Sequence, residues 1–342
     1  MPSRALAALL SAEPHLSLDE QGELVVRLEG EQVIDFYTHF GPARNLLSVP
    51  NRMERRTRPV RTYPIPDALG TLNLDALFYG TYPANPLLRA FKKVGGAFYR
   101  WRNLRRAMAP AHLDSMRRHQ IAYSVLTTVA SSGDDDSIYI TDTCRKYRNL
   151  VPFCSVHPHD PRKRQKLVWY KYNGAKGIFF DPRRQGFHPG EPAFLEVIIE
   201  AERLGLLVMV EIGLTGQEPR YGPWAERSRF GSVSHLAGAL TVAGDIPFIL
   251  THAGRAEFFD ALALAERWPN IYLETSLQPP DHLRLAIKRL GENRLLFGSG
   301  WPFCLRALPL LCVLRATQGK PQARRRILYD NAARILGLPR RP

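Results

Sequence analysis

Apolar residues along the chain gather in short runs, and between the runs they recur at helical spacing. The first run, at 33–36, passes straight into Tyr37, Thr38 and His39 before Gly41-Pro42 breaks it. Across about 42–110 no period holds, and prolines at 50, 59, 64, 66, 83 and 86 punctuate the stretch. From 111 onward a rhythm sets in. Helical patterns at 111–120, 135–147, 161–170, 192–204, 232–242, 255–268 and 280–290 separate β-branched or apolar runs at 123–129, 151–156, 175–180, 206–210, 247–250, 271–274 and 294–297. Strands of this length alternating with helices predict a parallel sheet built from βαβ units. Eight of them predict a closed (β/α)8 TIM barrel, and no Gly-rich phosphate fingerprint follows the first run to favour an open dinucleotide-binding sheet. The expected organisation is a lead-in over 1–31, with a short helix and turns at Gly22 and Gly30. A barrel over 32–340 follows, carrying a basic, aromatic-rich insertion at about 42–110 after strand one.

In such a barrel the chemistry sits where strands end. Tyr37 and His39 lie two apart and share one face of an extended chain, with Thr38 on the other. The other ends offer His157 and His159, Asp181, Glu211, His252, Glu274 or Thr275, and Ser299-Gly300-Trp301-Pro302. Glu211 and His252 end neighbouring strands, and a carboxylate–imidazole pair in a closed pocket suits acid–base catalysis. Tyr37, Lys176, Asp181, Arg255 and Trp301 are the candidate substrate-binding residues. Lys176 is read as pointing into the barrel toward Glu211 or Asp181, and Arg255 as opening a helix where it can grip a carboxylate bidentately. His112, His119, His235 and His282 fall on helical patterns and are expected at the surface or an interface.

Composition narrows the class. The chain has 342 residues, 45% hydrophobic and 23% charged, the profile of a globular protein. No apolar stretch reaches membrane-span length, and the run at 5–10 is short for a secretory signal. Four cysteines (Cys144, Cys154, Cys304, Cys312) show no paired spacing, so a reduced, cytoplasmic protein is expected. The net charge of +15 and pI near 9.9 point to an acidic partner. The excess clusters at 52–61, at 89–106 and at 324–326, and the middle cluster interleaves Phe91, Phe98, Tyr99 and Trp101. No helix-turn-helix, zinc-finger or RNA-binding signature accompanies it, which disfavours nucleic acid and leaves a small anionic molecule, or a protein partner through 89–106. Homo-oligomerisation stays open.

Seven segments in order carry a resemblance: V-I-D-F-Y-T-H-F-G, G-A-K-G-I-F-F-D-P-R-R-Q-G-F-H-P, L-G-L-L-V-M-V-E-I-G, F-I-L-T-H-A-G, N-I-Y-L-E-T-S, L-L-F-G-S-G-W-P-F and the terminal N-A-A-R-I-L-G-L. Over most of 33–338, outside the insertion, the chain resembles the amidohydrolase-related family of metal-dependent barrel hydrolases and decarboxylases, in the branch near aminocarboxymuconate-semialdehyde decarboxylase. The resemblance implies a divalent metal held by an H-x-H on strand one, a histidine on strand five and an aspartate on strand eight. Here those positions read Tyr37-x-His39, Glu211 and Gly300, Asp181 replaces a histidine often seen on strand four, and only His252 of strand six is kept.

A catalytic ion needs about three protein ligands, and neutral tyrosine and glycine supply none. A zinc or manganese ion would have to use His39, Glu211 and Asp181, and no cofactor is expected. The resemblance thus implies altered, metal-free lyase, decarboxylase or isomerase chemistry on a small anion. The alternatives are a non-catalytic scaffold, or a conventional hydrolase with a rearranged site.

Overall fold

The computed structural model describes residues 10–11, 13–20, 22–40, 107–128, 134–214, 218 and 224–339. Most of the insertion, with the cluster at 89–106, its aromatic residues and the arginines at 52–61, lies outside them. Ten strands are found among the described residues. Leu16–Leu18 (β1) and Leu24–Val26 (β2) form an antiparallel hairpin across Gly22, where a polar lead-in was expected. The barrel strands are Val33–His39 (β3), Ile121–Thr127 (β4), Leu150–Cys154 (β5), Gly177–Phe180 (β6), Leu207–Val210 (β7), Phe248–Leu250 (β8), Ile271–Glu274 (β9) and Leu295–Leu296 (β10). Each pairs in parallel with the next in sequence. The barrel closes where Thr38 bridges Trp301 and the Tyr37 carbonyl accepts the Gly300 N–H at 2.9 Å. The eight-stranded TIM barrel is therefore the fold.

Alternation sorts the side chains. Leu207 and Met209 of β7, Ile249 of β8 and Tyr272 of β9 fill the barrel interior. Their neighbours Val208, Val210, Phe248, Leu250, Ile271 and Leu273 pack outward against the helices. Gly177 is required inside: a Cβ there would overlap the Phe153 ring and the Leu207 carbonyl. In β3 the register slips between Asp35 and Thr38. Ile34 and Phe36 point inward below the slip, and Tyr37 joins them above it. A bulge of this kind re-aims side chains at a barrel rim, and here it brings Tyr37 and His39 to the C-terminal end of the barrel.

The outer helices include Ala109–Arg118 (α1), Asp134–Lys146 (α2), Lys163–Tyr172 (α3), the one-turn Pro182–Gln185 (α4) and Pro192–Arg203 (α5). Phe258–Arg267, Pro280–Leu290 and Ala307–Ala316 complete the wall behind β8 to β10. No described helix is long and apolar enough to cross a membrane. A fully buried ion pair ties the ends of the barrel together. Asp35 of β3 accepts from the Ser299 N–H at 2.9 Å, the Ser299 hydroxyl at 2.6 Å and Arg306 Nε at 3.0 Å. Arg306 also donates to Ser115 of α1 at 2.6 Å and lies over the Trp301 ring.

Two expectations about helical histidines are overturned. His112 is fully buried, bonded to Ser124 at 3.0 Å and set edge-on to Trp301 at 4.4 Å. His119 is buried on its own helix end, against the Ser115 carbonyl. Both are on the face of α1 that packs on the barrel, which the helical spacing of 111–120 did not resolve.

Candidate active site

Four strand ends converge on one cluster. Tyr37 sits between two imidazoles, its ring 4.7 Å from that of His39 and 5.1 Å from that of His252, edge-on to both. Its hydroxyl donates to Glu211 Oε2 at 2.6 Å, across 174 positions of sequence. The other oxygen, Oε1, receives Arg255 and, at 3.4 Å, Arg183. Asp181 caps α4: it accepts the Arg184 N–H at 3.1 Å, and Arg184 Nε lies 3.1 Å from its second oxygen. Asp-Pro at the start of a helical turn is a recognisable N-terminal signal, and it places Arg183 and Arg184 beside the acids. In the sequence those arginines stand only as part of G-A-K-G-I-F-F-D-P-R-R-Q-G-F-H-P, with no mark of a place in the site.

The loop after β8 is strained. His252, Ala253, Gly254 and Arg255 all have positive φ (53°, 41°, 83° and 52°). Three of these are not glycine, and each costs of the order of 1–3 kcal/mol. The helix expected from 255 accordingly begins only at Phe258. Gly213, at φ +100°, passes so close that a Cβ there would overlap the Gly254 carbonyl. Contacts over-determine the loop: the His252 N–H donates to Glu274 at 2.8 Å, and Gln278 donates to the His252 carbonyl at 2.6 Å. The strain turns Arg255 onto Glu211.

Burial dominates the electrostatics. It pushes the Tyr37 phenol well above its ordinary value, and the Glu211 charge pushes it further. Burial opposes the charge of Glu211, yet Arg255 foremost holds its carboxyl well below the usual range. Burial lowers His39 to about 4, and burial together with Arg255 drives His252 well down. His119 falls to about 4 and His112 well below its ordinary value, each chiefly by burial. These four imidazoles are neutral in the folded protein near pH 6, whereas the unfolded chain protonates them near 6.5. The unfolded state then binds more protons, so stability falls as pH drops from 6.5 toward 4. Urea midpoints across that range should show this decline, and a His119→Gln variant should decline less steeply.

Two expected substrate contacts are corrected. Lys176 precedes β6, at the opposite end of the barrel from the site, and is exposed, because the strand begins only at Gly177. Trp301 is 2% exposed and packs with Ala107, Ala111, His112 and Arg306 on the helix side, since its backbone completes the barrel closure. At the mouth Phe303 instead lies against His39, ring centres 4.9 Å apart.

The sequence profile of the amidohydrolase family matches residues 96–338, more than half of the chain. The chain belongs to the amidohydrolase family. No curated protein matches it. Among solved structures, this amidohydrolase barrel is similar to the apo form of IDCase from Metarhizium anisopliae. The two are 18% identical at a TM-score of 0.59, with 90% of this chain and 97% of that one covered. It is also similar to an amidohydrolase from Burkholderia multivorans with bound zinc (15%, TM-score 0.59, coverage 90% and 100%). A third is the 5-carboxyvanillate decarboxylase of Novosphingobium aromaticivorans, complexed with manganese and 4-hydroxy-3-methoxy-5-nitrobenzoic acid (15%, TM-score 0.59, coverage 90% and 97%). At these identities the likeness is one of fold.

Members of the family with zinc or manganese raise the question of whether this amidohydrolase can hold such an ion. Tyr37 keeps its proton, Glu211 is engaged at both oxygens, Asp181 spends its carboxylate on α4 and Arg184, and Gly300 has no side chain to offer. That leaves the imidazoles of His39 and His252, at most two ligands where a catalytic ion takes about three. Among the described residues no three His, Cys, Asp or Glu side chains come together as a metal site. The described donors do not fit the ion.

Proposed function

We propose that this amidohydrolase-family barrel acts on a small anionic substrate without a divalent ion, as a carbon–carbon lyase of the decarboxylating kind. The observation that carries the reading is the guanidinium clamp on Glu211: Arg255 and Arg183 meet at Oε1, with side chains only 17% and 16% exposed. Resident positive charge beside a neutral tyrosine and two neutral histidines favours a substrate that arrives as an anion. With its charge compensated and its carboxyl held far below neutrality, Glu211 serves as an anchor for the arginines. It is a poor proton donor, and the acid–base role falls to His252 alone.

The chemistry follows from the setting of His252. Burial and Arg255 disfavour its cationic form. A bound carboxylate offsets that penalty and lets the imidazole take up a proton from solvent. The resulting imidazolium is a strong acid, suited to protonating the carbon that bears the carboxylate. The new carbon–hydrogen bond takes its pair from the substrate's own π system; the carbon–carbon bond then breaks, its pair restores that π system, and carbon dioxide departs.

The test begins with elemental analysis of protein purified without added metal and without a histidine tag, which should find well under one equivalent of zinc, manganese or iron. Chelator-treated protein is then given a panel of small aromatic and unsaturated carboxylates, and carbon dioxide release is followed. Release that is unchanged by chelator is the expected result. Stoichiometric metal, or release only after zinc or manganese is added, overturns the proposal. Saturable binding of the acids with no release points to the scaffold alternative.

A further inference from the structure

The end of β9 and the residues just beyond it hold a hydrogen-bonded chain that the proposed reaction does not yet use. Ser276 donates its hydroxyl to Glu274 Oε2 at 2.7 Å and its N–H to Oε1 at 2.6 Å. The same hydroxyl oxygen lies 2.7 Å from His252 Nδ1. His252 also donates its backbone N–H to Glu274 Oε2 at 2.8 Å, so the residue is tied to the carboxylate twice, by its backbone directly and by its imidazole through Ser276. Glu274 and Ser276 are fully buried. Gly298 leaves room for the carboxylate, because a Cβ there would overlap it.

Donor counting sets the direction of the chain. A serine hydroxyl has one proton. An ionised carboxylate only accepts, so Ser276 gives that proton to Glu274. Its oxygen can then only accept from the imidazole, which requires the proton of His252 to be on Nδ1. We propose that Glu274 and Ser276 are positioning residues that hold His252 as its Nδ1–H tautomer, leaving Nε2 as the nitrogen offered to the substrate. The arrangement also stabilises the imidazolium: when Nε2 takes a proton, the new positive charge is compensated through Ser276 by the Glu274 carboxylate. Second-layer partners of this kind set which ring nitrogen does the work.

The inference builds on the reading of His252 as the proton carrier, yet its test needs neither substrate nor turnover. Long-range proton–nitrogen NMR on protein labelled with 15N-histidine identifies the tautomer of each imidazole. Spectra are taken at pH 8.5, above the value of about 7 to which burial pushes Glu274. A His252→Asn variant identifies the His252 signal by its loss. The expected wild-type pattern is a protonated Nδ1 and an unprotonated Nε2. Ser276→Ala should move the population toward Nε2–H, and Ser276→Thr, which restores the hydroxyl, should return it. An Nε2–H wild type overturns the proposal even if no variant folds, and so does an Nδ1–H signal unchanged in Ser276→Ala. Finding stoichiometric metal would sink the proposed function while leaving this measurement free to succeed or fail on its own.

Discussion

Replacing Arg306 by methionine is expected to lower the stability of the barrel by about 3–5 kcal/mol, because it leaves a buried carboxylate without its cation. Both Asp35 and Arg306 have side chains fully removed from water. Burial already raises the Asp35 carboxyl in spite of Arg306, so the variant adds a further upward push. The deficit should narrow toward acid pH, where Asp35 can take up a proton and drop its charge. Guanidinium denaturation of four proteins checks the account: wild type, Arg306→Met, Asp35→Asn and the double variant. The double variant should recover much of the loss, since a neutral amide beside methionine no longer strands a charge, and the Ser299 N–H keeps an acceptor. Equal losses in the single and double variants would mean that Arg306 acts through its packing on Trp301 instead of through charge.

His252→Asn is expected to reduce carbon dioxide release by about 10²–10⁴-fold, the usual range for removing a general acid or base. Asparagine is the informative choice because position 252 has φ 53°, a conformation that asparagine tolerates better than most residues. It keeps the strained loop while removing the group that carries the proton. The loss should fall on kcat more than on KM, since the clamp at Arg255 and Arg183 is left in place. A variant within a few-fold of wild type would move the proton chemistry elsewhere, His39 being the next imidazole beside Tyr37.

Much of this architecture was legible in the chain, for a physical reason. Buried parallel strands are apolar on both faces, so runs such as 206–210 and 271–274 stand out without any alignment, and the site follows from where they stop. The hairpin at Leu16–Val26 was not legible, because three-residue strands carry too little pattern to separate from a loop. Trp301 and Lys176 were misplaced by the same weakness. A strand boundary one or two residues out reverses which side a residue faces, or which end of the barrel it occupies.

The site was legible as a set of strand ends but not as a set of pairs. Tyr37, Glu211, Asp181 and Arg255 could be singled out one at a time. The bond from Tyr37 to Glu211, the arginines carried by the turn at Pro182–Gln185, and the strain that swings Arg255 inward all depend on three-dimensional closure. Ser276 was passed over because a serine two residues past a strand has no signature until its partner across the sheet is known.

The guanidinium clamp also governs what an arriving cation would meet at this site. A histidine placed at position 37 would still face two positive charges on Glu211, where an arriving cation must settle. Losing Arg255 first would weaken the compensation of a buried carboxylate that still holds Tyr37. An aspartate at position 300 would have room, since a Cβ there meets Cys304 Sγ only at 3.7 Å, but it must accept a left-handed backbone at φ +68°. Alone it would add one more ligand to a site whose other acids are already engaged. A divalent ion would therefore need several of these positions changed together, since no single replacement frees both the acids and the space between them.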